Sequence, residues 1–333
     1  MTPDTTSTGR ADGDALPGEP GRWTRRRLLV AGGVVAGSAI AAGASPGPVV
    51  AAPTGPIVDP VPVRPLARAT RVSPPPAPGG YDPDVRYVGI YGFPGTPVLG
   101  ALGEQPVELA VERARAVAAP YDAFDRPAVA TFEILASVAA ADAGADGDYS
   151  NEFDPSTFDP WVRAAAANDM AVIFDLQSGR SRFPDQARRY EDLWLHPHTH
   201  LALDPEWRVD SGAPGGGRVG TVDAVEVNET IAYLDALVTE RGLPPKMLVL
   251  HQFRASMVTN KAAIRQTANV RVVMHMDGFG SLSLKRRSYD VMVADLPPGA
   301  VTGWKNFFDE DQPTPTPAET VADDPSPILV TYQ

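Results

Sequence analysis

Beyond residue 80 the chain alternates two kinds of hydrophobic pattern. Short runs rich in β-branched residues sit between longer stretches whose apolar positions repeat every three or four residues. That alternation predicts a parallel sheet with crossover helices. A first strand is expected over 85–91, closing on the turn Gly92-Phe93-Pro94-Gly95. A helix follows Pro106, with Val107, Ala110, Val111, Ala114, Val117 and Ala118 on one face. Residues 128–135 read as a second strand. Asp159 reads as an N-cap ahead of Pro160, opening a helix that turns Trp161, Ala164 and Ala165 inward. A third strand (171–176), a helix (185–195) and a short fourth strand (201–203) come next. The clearest helix carries Val227, Ile231, Leu234 and Val238 on one face and stops at Gly242-Leu243-Pro244. Strands over 247–250, 270–274 and 301–307 alternate with helices over 262–268 and 282–296.

These elements occupy about 250 residues, the usual size of one (β/α)8 barrel. The expected fold class is therefore α/β, a single TIM-barrel-like domain over 81–333. Residues 328–332 decide its completeness. As an eighth strand they close the barrel, and on the other side of the body they leave the sheet open.

The first 80 residues follow other rules. Thr24-Arg25-Arg26-Arg27 precedes a run of apolar and small residues ending near Ala42-Gly43-Ala44, the layout of a secretory signal over 1–44. The Arg25-Arg26 pair resembles a twin-arginine signal. The competing reading is an uncleaved anchor, the one membrane contact the sequence offers. Residues 45–80, densest at Pro74-Pro75-Pro76, predict an extended linker without a core. Localisation is thus expected to be secreted or envelope-associated.

Composition narrows the chemistry. Hydrophobic residues at 43% and charged residues at 21% fit a soluble globular domain. The chain has no cysteine, so thiolate metal sites, a cysteine nucleophile and a cysteine lipid anchor are excluded. A net charge of −12 argues against nucleic acid as a partner. No phosphate cradle or serine-nucleophile elbow is present.

Reaction sites of (β/α)8 proteins lie at the C-terminal ends of the strands, and polar residues recur there. Glu133 lies in ATFEILA, Asp175 and Gln177 in IFDLQ, and Asp204 and Glu206 in LALDPEW. His251 and Gln252 lie in LVLHQF, His275 and Asp277 in VVMHMDGFG, and Lys305 and Asn306 in GWKNFFDED. A carboxylate in an apolar strand is costly unless paired or functional. Two carboxylates in an aromatic-walled cleft are what glycoside hydrolysis requires, one giving a proton and the other attacking or activating water. Glu206 is the first candidate for acid/base and Glu133 the second; Asp277 then Asp175 are candidates for the other carboxylate. Asp204 would polarise or orient Glu206, provided the strand stays extended through Pro205. Trp207, Phe253, Phe279, Trp304 and Phe307 offer flat faces for sugar rings. Tyr91, Gln177, His251, Gln252, Lys305 and Asn306 offer polar contacts.

The motifs LALDPEW, LVLHQF and GWKNFFDED, in that order after a secretion signal, resemble a family of uncharacterised exported actinobacterial proteins. The resemblance spans 85–333 and implies export and a barrel fold, without an activity. Asp204 and Glu206 also resemble the Asp-x-Glu pair of chitinase-like barrels, in which Glu donates the proton. Here positions 200–203 read His-Leu-Ala-Leu in place of that pattern's upstream aspartates.

The sequence assigns no cofactor and no metal ligand. His196, His198 and His200 are expected at a solvated turn at the entry to the fourth strand, and Asp142, Asp146, Asp148, Glu152 and Asp154 on a solvated rim loop. Lys305 is expected to form an ion pair with Asp277 or Glu133 in preference to a Schiff base. The expected function is hydrolysis of an envelope or extracellular glycan, with non-catalytic glycan binding as the alternative. Carboxyls about 5–5.5 or 6.5–9.5 Å apart favour hydrolysis. Carboxyls tied up by Arg180, Arg182 or Arg208 favour binding.

Overall fold

All eight expected strands form, and they join in one closed ring. The computed structural model describes residues 79–215 and 218–333. The expected signal segment and all but the last two residues of the linker lie outside them. The strands are β1 (Arg86–Gly92), β2 (Ala128–Ala139), β3 (Ala171–Leu176), β4 (Thr199–Leu203), β5 (Lys246–Gln252), β6 (Val270–Met276), β7 (Val301–Asn306) and β8 (Leu329–Tyr332). Each pairs in parallel with the next, and β8 pairs back onto β1 from Tyr87↔Leu329 to Ile90↔Tyr332. Residues 328–332 thus close the barrel. Around it run α1 (Val107–Ala118), α2 (Asp159–Ala167), α3 (Phe183–Arg189), α4 (Glu191–Trp194), α5 (Ala224–Arg241), α6 (Leu282–Val293) and α7 (Pro317–Thr320). No helix among the described residues is long and apolar enough to cross a membrane.

Strand periodicity divides the core in two. Tyr87, Ala171, Ile173, Ala202, Met247, Val249, Val273 and Leu329 point inward and fill the N-terminal half of the barrel. Their neighbours in sequence, such as Val172, Phe174, Leu248 and Met274, point outward against the helices. Gly89 lets β1 approach β2, because a Cβ there would lie 1.8 Å from the Thr131 carbonyl oxygen. Asp223 caps α5 by accepting from the Val225 N–H, and Gly242 ends it at φ +62. The buried Val227, Ile231, Leu234 and Val238 hold that helix to the barrel, at roughly 1.5–3 kcal/mol each.

Some local expectations give way to tertiary contacts. The helix expected over 262–268 is replaced by 3-10 turns at Ala255–Met257 and Lys261–Ala263. Asn228 of α5 takes the backbone groups a helix would have used, bonding Ala263 O at 2.9 Å and Arg265 N at 2.8 Å. Asp154, not Asp159, is the capping carboxylate, bonding Ser156 N ahead of a 3-10 turn that runs into α2. The histidine turn is largely interior. His198 Nε2 meets Val162 O at 3.0 Å, and His200 Nδ1 accepts from Met247 N at 3.1 Å; only His196 is exposed. Asp148 of the acidic loop is also buried, bonding Ser150 N and Ser181 Oγ.

Lys246, fully buried at the start of β5, donates to His196 O and Thr199 O, both at 2.9 Å. Burial lowers its ammonium to about 7. Between that value and the unfolded value of roughly 10.4, the unfolded chain binds the extra proton, so this group's destabilisation is full below pH 7 and fades as pH rises. Urea denaturation should show Lys246→Met more stable than the parent at pH 7, by on the order of 4 kcal/mol at most. The gap should shrink towards pH 9.5; a gap independent of pH would refute the account.

Candidate functional site

Where the apolar plug ends, the inward positions turn polar. β1 contributes Tyr91, β2 Glu133, β3 Asp175, β5 His251, β6 His275 and β7 Lys305, all buried. Asp204 and Asp277 follow directly on β4 and β6. The Tyr91 hydroxyl donates to Asp175 Oδ2 at 2.9 Å. His251 bridges two carboxylates, with Nε2 3.0 Å from Glu133 Oε1 and Nδ1 3.4 Å from Asp277 Oδ2. Lys305 Nζ lies 3.5 Å from Asp277 Oδ1 and 3.3 Å from the centre of the Tyr91 ring. Lys305 thus pairs with Asp277, one of its two expected partners.

The extended Asp204-Pro205-Glu206 segment does not form. β4 ends at Leu203, and Pro205–Trp207 is a 3-10 turn capped by Asp204, whose Oδ1 accepts from Glu206 N at 3.0 Å. Proline at the first position of the turn supplies its φ and needs no donor. Arg208, held by Glu226 at 3.1 Å, fastens the turn to α5. By this other route Asp204 and Glu206 still meet, and Asp277 joins them. One carboxylate oxygen from each lies within 4.8 Å of the others.

These three carboxylates border a small open pocket at the C-terminal mouth of the barrel. Tyr91, Gln177, Trp207 and Lys305 line it too. Sequence reasoning missed Leu99, Leu135 and the terminal Gln333, which complete the wall. Leu135 was legible by period two from Glu133, whereas Gln333 follows a strand whose place in the ring was open.

Other expected residues are placed elsewhere. Glu133, Asp175 and His251 lie beneath the pocket and do not line it. Gln252, Trp304 and Asn306 have the opposite parity and face the outer layer. Gln252 donates to Arg254 O and accepts from Lys261 Nζ. The Trp304 indole donates to Asn306 Oδ1, and Asn306 Nδ2 donates to Thr320 Oγ1. Phe253, Phe279 and Phe307 stand off the pocket, leaving Trp207 and Tyr91 as its aromatic faces. Arg180, Arg182 and Arg208 do not neutralise these carboxylates: Arg182 pairs with Glu229, Arg208 with Glu226, and Arg180 packs over Tyr149.

The electrostatics separate the carboxylates. Burial, with the charges of Asp175, Glu206 and Asp277, raises Asp204 well above the usual range. Burial and the Glu133 charge also raise Asp175. Burial alone would raise Glu133, yet the charge and hydrogen bond of His251, with His275 and Lys305, hold it near 2. Burial opposes protonation of His251, but Asp175 and Glu133 outweigh it and push its imidazole well up. Burial takes His275 down to about 3.

No family model matches the chain, and no curated protein matches it. Among solved structures, a crystal structure of D-psicose 3-epimerase in the presence of D-fructose is similar at 10% identity, with a TM-score of 0.36. The alignment covers 74% of this chain and 84% of that one. The barrel architecture rests on the strand pairing of the chain itself, and the chemistry on its residues.

Proposed function

We propose that this chain is a secreted, glycoside-hydrolase-like protein that acts on a glycan of the cell envelope or its surroundings. The observation that carries the reading is the convergence of Asp204, Glu206 and Asp277 in the pocket. Burial and the neighbouring charges of Asp175, Glu206 and Asp277 raise Asp204 well above the usual carboxylate range, which favours a proton held beside Glu206. Glu206, the less buried of the two, delivers a proton to a leaving oxygen, and Asp204 orients it through the turn that its carboxylate caps. Asp277, contacted by Lys305 and His251, is the opposing carboxylate. Its closeness to the pair suits the retaining arrangement, with carboxyls about 5–5.5 Å apart, better than the wider inverting one. Trp207 gives a sugar ring its flat face. Export ahead of a proline-rich spacer, and kinship with exported actinobacterial proteins, belong to the same proposal.

A panel of aryl glycosides and envelope polysaccharides tests it. Hydrolysis is expected with retention at the anomeric carbon, read by NMR of the first-formed product. Glu206→Gln should lower the rate about 10²–10⁴-fold with the fold intact by circular dichroism. Activity retained in that variant would remove Glu206 from the mechanism. Glycan binding without turnover, lost in Trp207→Ala, would replace hydrolysis with the binding alternative.

A further inference from the structure

Beneath the pocket, β2, β5 and β6 bring Glu133, His251 and His275 together. One donor atom from each lies within 4.8 Å of the others, and all three side chains are fully buried. His251 Nε2 is 3.0 Å from Glu133 Oε1 and 3.9 Å from Asp175 Oδ1, and His275 Nδ1 is 4.0 Å from Glu133 Oε1. Among the described residues, three atoms beside His251 Nε2 have no hydrogen-bond partner: Glu133 Oε2, Asp175 Oδ1 and His275 Nδ1. Buried polar atoms are seldom left so. A proton on His251 satisfies Glu133 Oε1 and leaves those three lone-pair donors unanswered. A single cation shared by Glu133, His251 and His275 would give the Glu133 carboxylate and His275 Nδ1 a partner, with Asp175 beside it.

We propose that the barrel interior binds a divalent transition-metal ion through Glu133, His251 and His275, with Asp175 alongside. Two imidazoles and a carboxylate form a donor set suited to zinc, manganese, iron or cobalt, and poorly suited to calcium or magnesium. The outer contacts agree. Metal-bound histidines hold their second ring nitrogen against an oxygen. Here His251 Nδ1 faces Asp277 Oδ2 at 3.4 Å, and His275 Nε2 faces Thr331 Oγ1 at 3.4 Å. Charge agrees as well. Glu133, Asp175 and Asp277 all approach His251, so a dication there would answer carboxylate charge that the imidazole proton otherwise faces alone. Asp277 both contacts His251 and lines the pocket, which places the ion one side chain below the pocket floor. This inference stands on the buried cluster and does not depend on the hydrolase reading.

The test uses the untagged protein, because a histidine tag would bind the same ions. Metal is removed with a chelator, and Zn²⁺, Mn²⁺ and Co²⁺ are titrated calorimetrically, with Ca²⁺ and Mg²⁺ as comparators. One equivalent of a transition metal is expected. At a hundredfold excess over Kd the melting temperature should rise by about 5–10 °C. His275→Gln should weaken binding at least about 10-fold, whereas Glu206→Gln should leave it unchanged. Co²⁺ should give visible bands characteristic of nitrogen ligation, absent in His275→Gln. If the parent protein binds none of the three transition metals, the proposal is overturned, whatever the variants do. It is equally overturned if Glu206→Gln abolishes binding and His275→Gln does not, since the ion would then sit in the pocket. Binding without any hydrolysis leaves it standing and removes only the hydrolase reading.

Discussion

Asp204→Asn is expected to lower hydrolysis about 10²–10⁴-fold while making the protein more stable at pH 7. Asp204 is 3% exposed among Asp175, Glu206 and Asp277, which hold its proton well above the usual carboxylate range. A carboxyl whose folded pKa is raised stabilises least where the unfolded chain has already lost its proton. Its contribution therefore falls as pH climbs from the unfolded value near 4 through the folded one. The amide carries no charge, and its oxygen can still accept the Glu206 N–H that caps the turn. The variant should gain about 1–3 kcal/mol at pH 7 and nothing near pH 3. Chemical denaturation of chelator-treated protein at both pH values measures it, with hydrolysis read in parallel. A variant that loses stability at pH 7 would show that Asp204 is an ordinary turn cap with no retained proton.

The second large effect lies in a buried ion pair behind the site. Lys285 of α6 donates to Asp311 Oδ2 at 2.7 Å, to Gly278 O at 3.0 Å and to Lys305 O at 2.7 Å. Its ammonium also faces the Trp304 and Phe307 rings at 5.4 and 5.2 Å. Asp311 in turn accepts from Phe307 N and Gly280 N. One clamp thus joins the loop that carries Asp277 to the strand end that carries Lys305. Burial works against both charges, lowering Lys285 and raising Asp311. Removing one partner strands the other in the interior, so Lys285→Met should cost about 3–5 kcal/mol. Asp311→Asn in the Lys285→Met background should recover at least half of that, because the amide oxygen still accepts the two backbone donors without a charge. A double-mutant cycle by denaturant titration reads the coupling, and additive losses would mean that the pair contributes no coupling of its own.

The site was legible in the sequence only in part. Carboxylates and histidines at strand ends stand out because apolar runs seldom contain them. By residue type alone, both members of pairs such as His251 and Gln252, or Lys305 and Asn306, qualify as site residues. Adjacent strand positions point to opposite faces, and only the inward member of each pair reached the barrel interior. The turn at Pro205–Trp207 was hidden for another reason. Its geometry depends on the Asp204 cap and on the Arg208–Glu226 anchor, which lies across to α5.

The fold class, the order of the eight strands and the acidic character of the strand ends were determined by the sequence, because each is written in local periodicity and residue type. The closure of the ring was decided by tertiary structure, since local sequence at 329–332 specifies a strand but not its pairing with both β7 and β1. So was the joining of Glu133 to His251 and His275, residues 118 and 142 positions apart in the chain. Strand register alone brings them to one level of the barrel, where burial strips away water and gives each charge its neighbours.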